Sequence, residues 1–300
     1  MPSPKEIRGR IKSVKNTRKI TRAMELISTV KMKKAQDAAL GARPFAVAAL
    51  RAMAHLSHEL SEHPLFRAPE RHGAGHRDHK TLFVVFTANK GLCGSYNVGV
   101  FRELAKISKK NIPAAYVTVG RKGREFVART GGELVADFSE TFKDAPDPRE
   151  TKKISRLVQK LFRDGACDSV EIIYNWYVSA LTQKVVRLPL LPLDRARLEE
   201  FLKESAGGNI EAPAHTYAFE PSAAALADAV VPMAVDHLLH EDALEAKASE
   251  HAARMVAMKS AKDNAGKKVS SLTTSYNKAR QGAITKEITE IVSGVESLKD

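Results

Sequence analysis

"KARQGAITKEITEIVSGVESLKD", residues 278–300, keeps a strict apolar period to the end of the chain. Ile284, Ile288, Ile291, Val295 and Leu298 are spaced 4, 3, 4 and 3, the stripe of an amphipathic helix. Chain ends ordinarily fray and are free to be polar, so a stripe here needs a surface to bury against. The same kind of seam extends upstream through Leu244, Ala248, Ala252, Met255, Met258, Lys262, Ala265, Val269, Leu272, Tyr276, Ala279 and Ala283, then shifts by one residue into the isoleucines. Only Pro232 interrupts this zone, near its start, where a kink is allowed. More than 60 residues without a further breaker predict a rod of roughly 90 Å, too long to lie on a small domain.

The other end of the chain matches it. Ile7, Ile11, Val14, Thr17, Thr21, Met24, Ile27, Lys31, Ala35 and Ala38 recur at spacings of 3 or 4, and no proline falls between Pro4 and Pro44. The seam is thin and partly polar, as in a coiled coil, whereas a helix on a globular core carries a wider apolar face. The expectation is a helix over residues 1–60 and another over 223–300, paired antiparallel. Because the second is longer, its last turns project beyond the pair and bury against another chain. Arg280 and Gln281 lie near that tip, where an arginine suits an acidic loop of a surrounding partner.

Residues 75–215 read differently. Short runs rich in β-branched and aromatic residues predict strands at 81–87, 114–120, 133–138, 169–178 and 183–191. Helices fit between the first four, at about 96–110, 121–130 and 150–164, so an α/β sheet with parallel pairs is expected. The last two strands are close enough for an antiparallel hairpin, and 204–222 reads as a loop by its Gly and Pro content.

Composition narrows the chemistry. An apolar fraction of 43% allows a real core, and no uninterrupted apolar run reaches 18 residues, so no bilayer span is expected. Neither a signal nor a transit peptide is expected ahead of the first patterned segment. Cys93 and Cys167 stand far apart without histidines at ligand spacing, so reduced thiols are expected, with no disulfide and no metal site. His72, His76 and His79 cluster without a carboxylate pattern to complete a site. No nucleophile–base or paired-carboxylate motif is placed. "NKGLCGSYN" (89–97) follows a strand and precedes a helix, where phosphate loops sit, but it lacks both glycine signatures of such loops. "DNAGKKVSS" (263–271) has a Gly-Lys-Lys, yet Ala261 stands where the first loop glycine would be needed.

Net charge is +13, and residues 1–42 carry 11 Lys/Arg against 3 Asp/Glu. That density suits a nucleic acid, an anionic membrane surface or an acidic protein partner. On the residues alone three readings stay open: a shaft that inserts into a larger assembly, a coiled-coil nucleic-acid-binding protein, and a nucleotide-using α/β enzyme.

At this point "KEIRGRIKSVKNTRKITRAMELISTVKMKKAQ" (5–36), "GLCGSYN" (91–97) and "EHAARMVAMKSAKDNAGKKVSSLTTSYNKARQGAITKEITEIVSG" (250–294) resemble the γ subunit of F-type ATP synthases over nearly the whole chain. The most specific part is Ile284, Thr285, Glu287, Glu290 and Gly294; Val295 departs from the alanine usual there. The resemblance implies an α/β protein with a long antiparallel coiled coil of N- and C-terminal helices and a central Rossmann-like α/β domain that binds no nucleotide. It implies a non-catalytic central-stalk rotor subunit, turned by a proton-driven c-ring inside the α3β3 hexamer where ATP is made. The partners would be the α and β subunits, the ε subunit and the c-ring, with no cofactor, metal or nucleic acid. Met24, Arg254, Arg280, Gln281, Thr285 and Glu287 match positions of β-subunit contact and coupling, and Tyr217 and Glu220 match the foot region facing the c-ring and ε. The chloroplast-type insertion with its cysteine pair is absent, so thiol regulation is not expected. The location implied is peripheral, on the cytoplasmic side of a bacterial inner membrane.

Overall fold

β1 (Thr81–Phe86) is buried along its whole length, because alternate side chains serve two cores. In the computed structural model, which describes residues 3–54, 62–67, 79–141, 146–194, 219–220 and 222–296, Leu82, Val84 and Phe86 point to one face of the sheet and Phe83 and Val85 to the other. A strand sandwiched in this way reads as a continuous apolar run, as parallel central strands do.

The chain divides into two compact units, Ser28–Arg254 and the pair Met1–Ile27 with Met255–Asp300. In the larger unit, β1 is followed by α2 (Tyr96–Lys109), β2 (Ala114–Val119), α3 (Arg121–Arg129), β3 (Glu133–Asp137), α4 (Pro148–Arg163), β4 (Ser169–Tyr177) and β5 (Gln183–Leu191). The sheet order is β3-β2-β1-β4-β5. β1 pairs in parallel with β2 and β4, β2 with β3, and β5 closes the edge as an antiparallel hairpin partner of β4. The α/β expectation therefore holds, as a doubly wound sheet.

The helices cover both faces. Val100, Leu104 and Ile107 of α2 and Val127 of α3 pack with Phe83, Val85, Tyr116 and Ile173. Ile154, Val158 and Phe162 of α4 pack on the opposite face with Val117, Ile172 and Tyr174. α4 starts at Pro148, two residues before the expected start, where Asp147 and Glu150 form a reciprocal capping box. The β2–α3 turn needs glycine, since Gly120 sits at φ +119 and a Cβ there would lie 2.0 Å from the Thr87 carbonyl oxygen.

Two long helices bracket these elements: α1 (Pro4–Ala54) and α5 (Ala223–Glu296), each a single helix that contains a proline, Pro44 and Pro232. In the larger unit the first half of α5 joins the α4-side core through Val231, Val235, Leu238, Leu239 and Ala243. Part of α5 is apolar enough, by length and composition, to cross a membrane, at mean hydropathy 1.2. No such window was expected from the sequence, which has only shorter uninterrupted runs; 39% of the window is buried inside the protein, and Val231, Val235, Leu238, Leu239 and Ala243 of α5 are among the residues that pack in the α4-side core.

In the smaller unit the two helices run antiparallel: Lys262 Nζ bonds Glu25 at 2.7 Å, while Gly266 faces the Arg18 guanidinium. Met258 and Ala265 are buried, and Lys262, Val269, Leu272, Tyr276 and Ala279 half-buried, which reproduces the expected seam. On α1, Ile7, Ile11, Val14, Thr21 and Met24 follow the expected seam as well. Three expected positions depart from it: Thr17 and Ala38 are exposed, and Ile27 is 53% exposed while the neighbouring Ser28 is only 2%. A heptad seam steps from Thr21 to Ser28, so the small serine takes the inward position and the isoleucine faces out.

Candidate functional site

In a doubly wound sheet, ligands settle outside the carboxyl ends of the strands where the strand order reverses, here between β1 and β4. That crevice is filled by the protein itself. Tyr96, at the start of α2, is fully enclosed and donates its Oη–H to the Ala246 carbonyl of α5 at 2.9 Å. Asn175 of β4 donates to the Tyr96 carbonyl at 3.1 Å. Ala253 packs against the cluster of Ala88, Cys93 and Tyr96. Burial and the nearby Glu250 carboxylate push the Tyr96 phenol well above its ordinary value, so it is a neutral donor. The loop that could have cradled a phosphate spends its polar groups internally: Ala88 N–H donates to Asn97 Oδ1, Asn89 Nδ2 to the Ser139 carbonyl, and Arg121 N–H to Asn89 Oδ1.

Arg254 lies at the same junction. Its side chain is 11% exposed and donates to Glu250 Oε1 at 2.8 Å and to the Lys90 carbonyl at 3.4 Å. Lys247 holds the other oxygen of Glu250 at 2.8 Å. Burial opposes the charge on Glu250, but Lys247 and Arg254 outweigh it and hold the carboxyl at about 2. Arg254 is thus committed within its own chain rather than solvated, the bland sequence reading of a polar residue on a long helix.

In the smaller unit, Lys15, Arg18, Lys19 and Arg22 share one face of α1 at helical spacing and, with Lys262 and Val269 of α5, line a groove of about 570 Å³. Lys262 is neutralised by Glu25. The other four make no ion pair among the described residues, so the groove is strongly cationic. Met24 is half-buried on the seam.

The last turns of α5 stand apart from the seam. Every described residue from Arg280 to Gly294 is exposed, including Arg280, Gln281, Thr285 and Glu287. Ile284 and Ile288 are 46% and 56% exposed, and Ile291 and Val292 more than half or about that. Helix-internal contacts are modest: Thr289 Oγ1 donates to the Thr285 carbonyl, and Lys286 faces Glu290 at 3.5 Å. An amphipathic stripe left in water is the signature of an interaction site. Glu220 is exposed, while Tyr217, His72, His76, Val295's side chain and Leu298 lie outside the described residues.

The sequence-predicted positions are divided between the two units. Met24, Arg280, Gln281, Thr285 and Glu287 belong to the smaller unit, and Arg254 and Glu220 to the larger. Sequence reasoning missed Tyr96, Asn175, Lys247 and Glu250. Glu250 and Arg254 carry a local signal, an acid four residues before a base on one helix; Tyr96 and Asn175 meet only through the sheet.

A family model described as ATP synthase matches residues 3–298. A protein named ATP synthase gamma chain from Halothermothrix orenii is 40% identical over all of both chains, and one from Opitutus terrae 41% over 98% of each. Among solved structures, a chain of the Euglena gracilis mitochondrial ATP synthase, in an assembly of OSCP, F1 and c-ring, aligns with a TM-score of 0.63 at 18% identity, covering 98% of this chain and 94% of that one. A chain of the Tetrahymena thermophila mitochondrial ATP synthase central stalk and c-ring aligns at 0.57 and 23% identity, covering 81% and 99%.

Proposed function

Since the chain belongs to the ATP synthase γ-chain family, and so is a non-catalytic rotor subunit of that membrane-associated complex, we propose how its surfaces do that work. The exposed isoleucine stripe of α5, from Ile284 onward, buries in the collar of an α3β3 hexamer, where it gains the apolar cover it lacks in the isolated chain. That exposed stripe is the observation that carries the reading. Arg280, Gln281, Thr285 and Glu287 stand on the same turns and supply polar contacts to a β-subunit loop. The cationic groove of Lys15, Arg18, Lys19 and Arg22 faces acidic segments of the same partner. Met24 belongs with these β-facing positions, and Arg254 acts in coupling.

The chain works in three segments: an N-terminal coiled-coil segment at 1–60, an α/β foot at 75–215 and a C-terminal coiled-coil segment at 223–300. The foot, with Tyr217 and Glu220, meets the ε subunit and the c-ring. Proton flow turns the c-ring and this chain with it, and the seam of small side chains suits a shaft that must turn. The location that follows is the cytoplasmic face of a bacterial inner membrane, held there through the c-ring without a span of its own. Neither the nucleic-acid reading nor the nucleotide-enzyme reading gains support: the family has neither role, and the ligand crevice is occupied by Tyr96 and α5.

The test is the double variant Arg280→Ala/Gln281→Ala in the assembled synthase. ATP synthesis is expected to fall while the purified chain keeps its circular dichroism and melting temperature. Unchanged synthesis removes the contact assignment.

A further inference from the structure

We infer that the ligand crevice of this doubly wound sheet has become a torsional clamp: Tyr96 and Asn175 pin α5 at Ala246, so that rotation of the sheet is passed to the helix rather than lost as the helix turns in its seat. The inference rests on the rotor reading above.

A rotor that carries torque from a sheet into a long helix has a weak point at their junction. Apolar packing resists separation, but it resists sliding and rolling poorly where the contact surface is smooth. Along this stretch the buried apolar side chains of α5 are Ala243, Leu244, Ala246, Ala248 and Ala252, with Ala253 beside them, so Leu244 is the one large side chain among alanines and the surface interlocks little. Directional bonds supply what the alanines do not. The Tyr96 hydroxyl bonds the Ala246 carbonyl at 2.9 Å, a backbone atom that cannot swing away with a side-chain rotamer. Asn175, on the interior strand β4, fixes the Tyr96 backbone at 3.1 Å, so the pin is anchored to the sheet and not to a free loop. The path is continuous: strand β4, Asn175, Tyr96, Ala246, α5. Eight residues further along α5, Arg254 bonds the Lys90 carbonyl of the same loop at 3.4 Å, a second tie at a different angle around the helix. The Tyr96 and Asn175 bonds are buried, so water does not compete for them, whereas the Arg254–Lys90 tie lies at the surface.

The position matters as much as the bonds. Loops at the carboxyl ends of β1 and β4 are where this fold ordinarily holds a ligand against the sheet. Here the same two strand ends grip a helix. A nucleotide in that place would have to displace Ala253 and the Tyr96 ring. The clamp thus accounts for a sheet of nucleotide-binding topology in a chain that performs no chemistry.

The test compares the wild-type chain with Tyr96→Phe and Asn175→Ala, each assembled at full length into the complete synthase in lipid vesicles. Phenylalanine keeps the buried ring and removes only the hydroxyl. Three quantities are read: ATP hydrolysis without an opposing proton gradient, ATP synthesis driven by a gradient, and the angular fluctuation of the foot when the α3β3 part is held on a surface. The expected result is wild-type assembly and unloaded hydrolysis, broader angular fluctuation, and synthesis lowered about fivefold, roughly what one ordinary hydrogen bond is worth. Unchanged fluctuation and synthesis in both variants overturns the clamp. So does a loss of synthesis that in both variants only follows a loss of assembled complex, because that marks the Tyr96 bonds as folding contacts. If Tyr96→Phe assembles poorly, Asn175→Ala decides by the same readings. A wild-type chain that assembles and hydrolyses ATP while both variants match it leaves the rotor reading standing and removes the clamp alone.

Discussion

Glu250 is the buried acid of a three-residue charge cluster on α5. It is buried between Lys247 and Arg254, and its carboxyl is held at about 2 although burial favours the neutral acid. A carboxyl held below its unfolded value of 4.5 adds stability that is complete above that value and is lost as pH falls toward about 2. Removing the charge at neutral pH is worse than never having had it, because Lys247 and Arg254 stay behind as buried cations. Glu250→Gln is therefore expected to destabilise the chain by about 3–5 kcal/mol, as urea titration of the purified protein would measure. It should also flatten the acid limb of the stability curve. A change within experimental scatter would mean that the two cations find other partners. This cluster was only half legible in sequence. The i, i+4 spacing of Glu250 and Arg254 is visible, but the burial that gives the pair its weight depends on the loop of Lys90, distant in the chain. Arg254 reads as a solvated side chain until that loop is in place.

At the scale of elements, regular pattern translated well and contact between elements did not. The five strands fall within a residue or two of their expected spans because each is a dense β-branched or aromatic run flanked by turn residues. The antiparallel β4–β5 hairpin follows from the short connection between them. The slip from Ile27 to Ser28 on α1 shows the limit. With apolar residues at Ile20, Leu26, Ile27 and Val30 all exposed, hydrophobicity on that helix does not mark the inward face, and only heptad geometry does. The α4–α5 contact makes a testable case. His240 of α5 is buried, with Nδ1 3.0 Å from Thr151 Oγ1 of α4. Burial, helped by His237, lowers its pKa from 6.5 to about 4. Between those values the unfolded chain takes up a proton that the folded chain refuses, so stability is full above 6.5 and falls as pH drops toward about 4. The loss attributable to this group is at most about 3 kcal/mol. Denaturation of the His240→Gln variant should show a shallower slope over that window than wild type. Identical slopes would assign the acid sensitivity of the foot to other groups.

The whole molecule joins a compact α/β sheet with helices far longer than such a sheet needs. Both parts are legible in sequence because each has its own pattern, short runs rich in β-branched and aromatic residues in the strands and a thin seam at spacings of 3 and 4 in the long helices. The sequence also shows a repeating apolar stripe in the last turns of α5, and Ile284, Ile288, Ile291 and Val292 stand exposed there. What it does not show is the reuse of the ligand crevice. Glycines and an asparagine after a strand look alike whether they frame a phosphate or a tyrosine, and the difference is made by α5, more than a hundred residues later in the chain. The surfaces facing outward are likewise of two kinds, an isoleucine stripe on α5 and a basic groove at Lys15, Arg18, Lys19 and Arg22. An apolar collar with acidic loops satisfies both at once.

Reconstitution with purified α and β subunits tests that account most directly, with the full-length chain set beside one lacking residues 284–300. The account predicts that the full-length chain forms a stoichiometric α3β3γ complex that hydrolyses ATP, and that the truncated chain, whose foot melts as before, assembles more weakly. Failure of the full-length chain to join α and β, or assembly by the truncated chain that equals the full-length one, would contradict it.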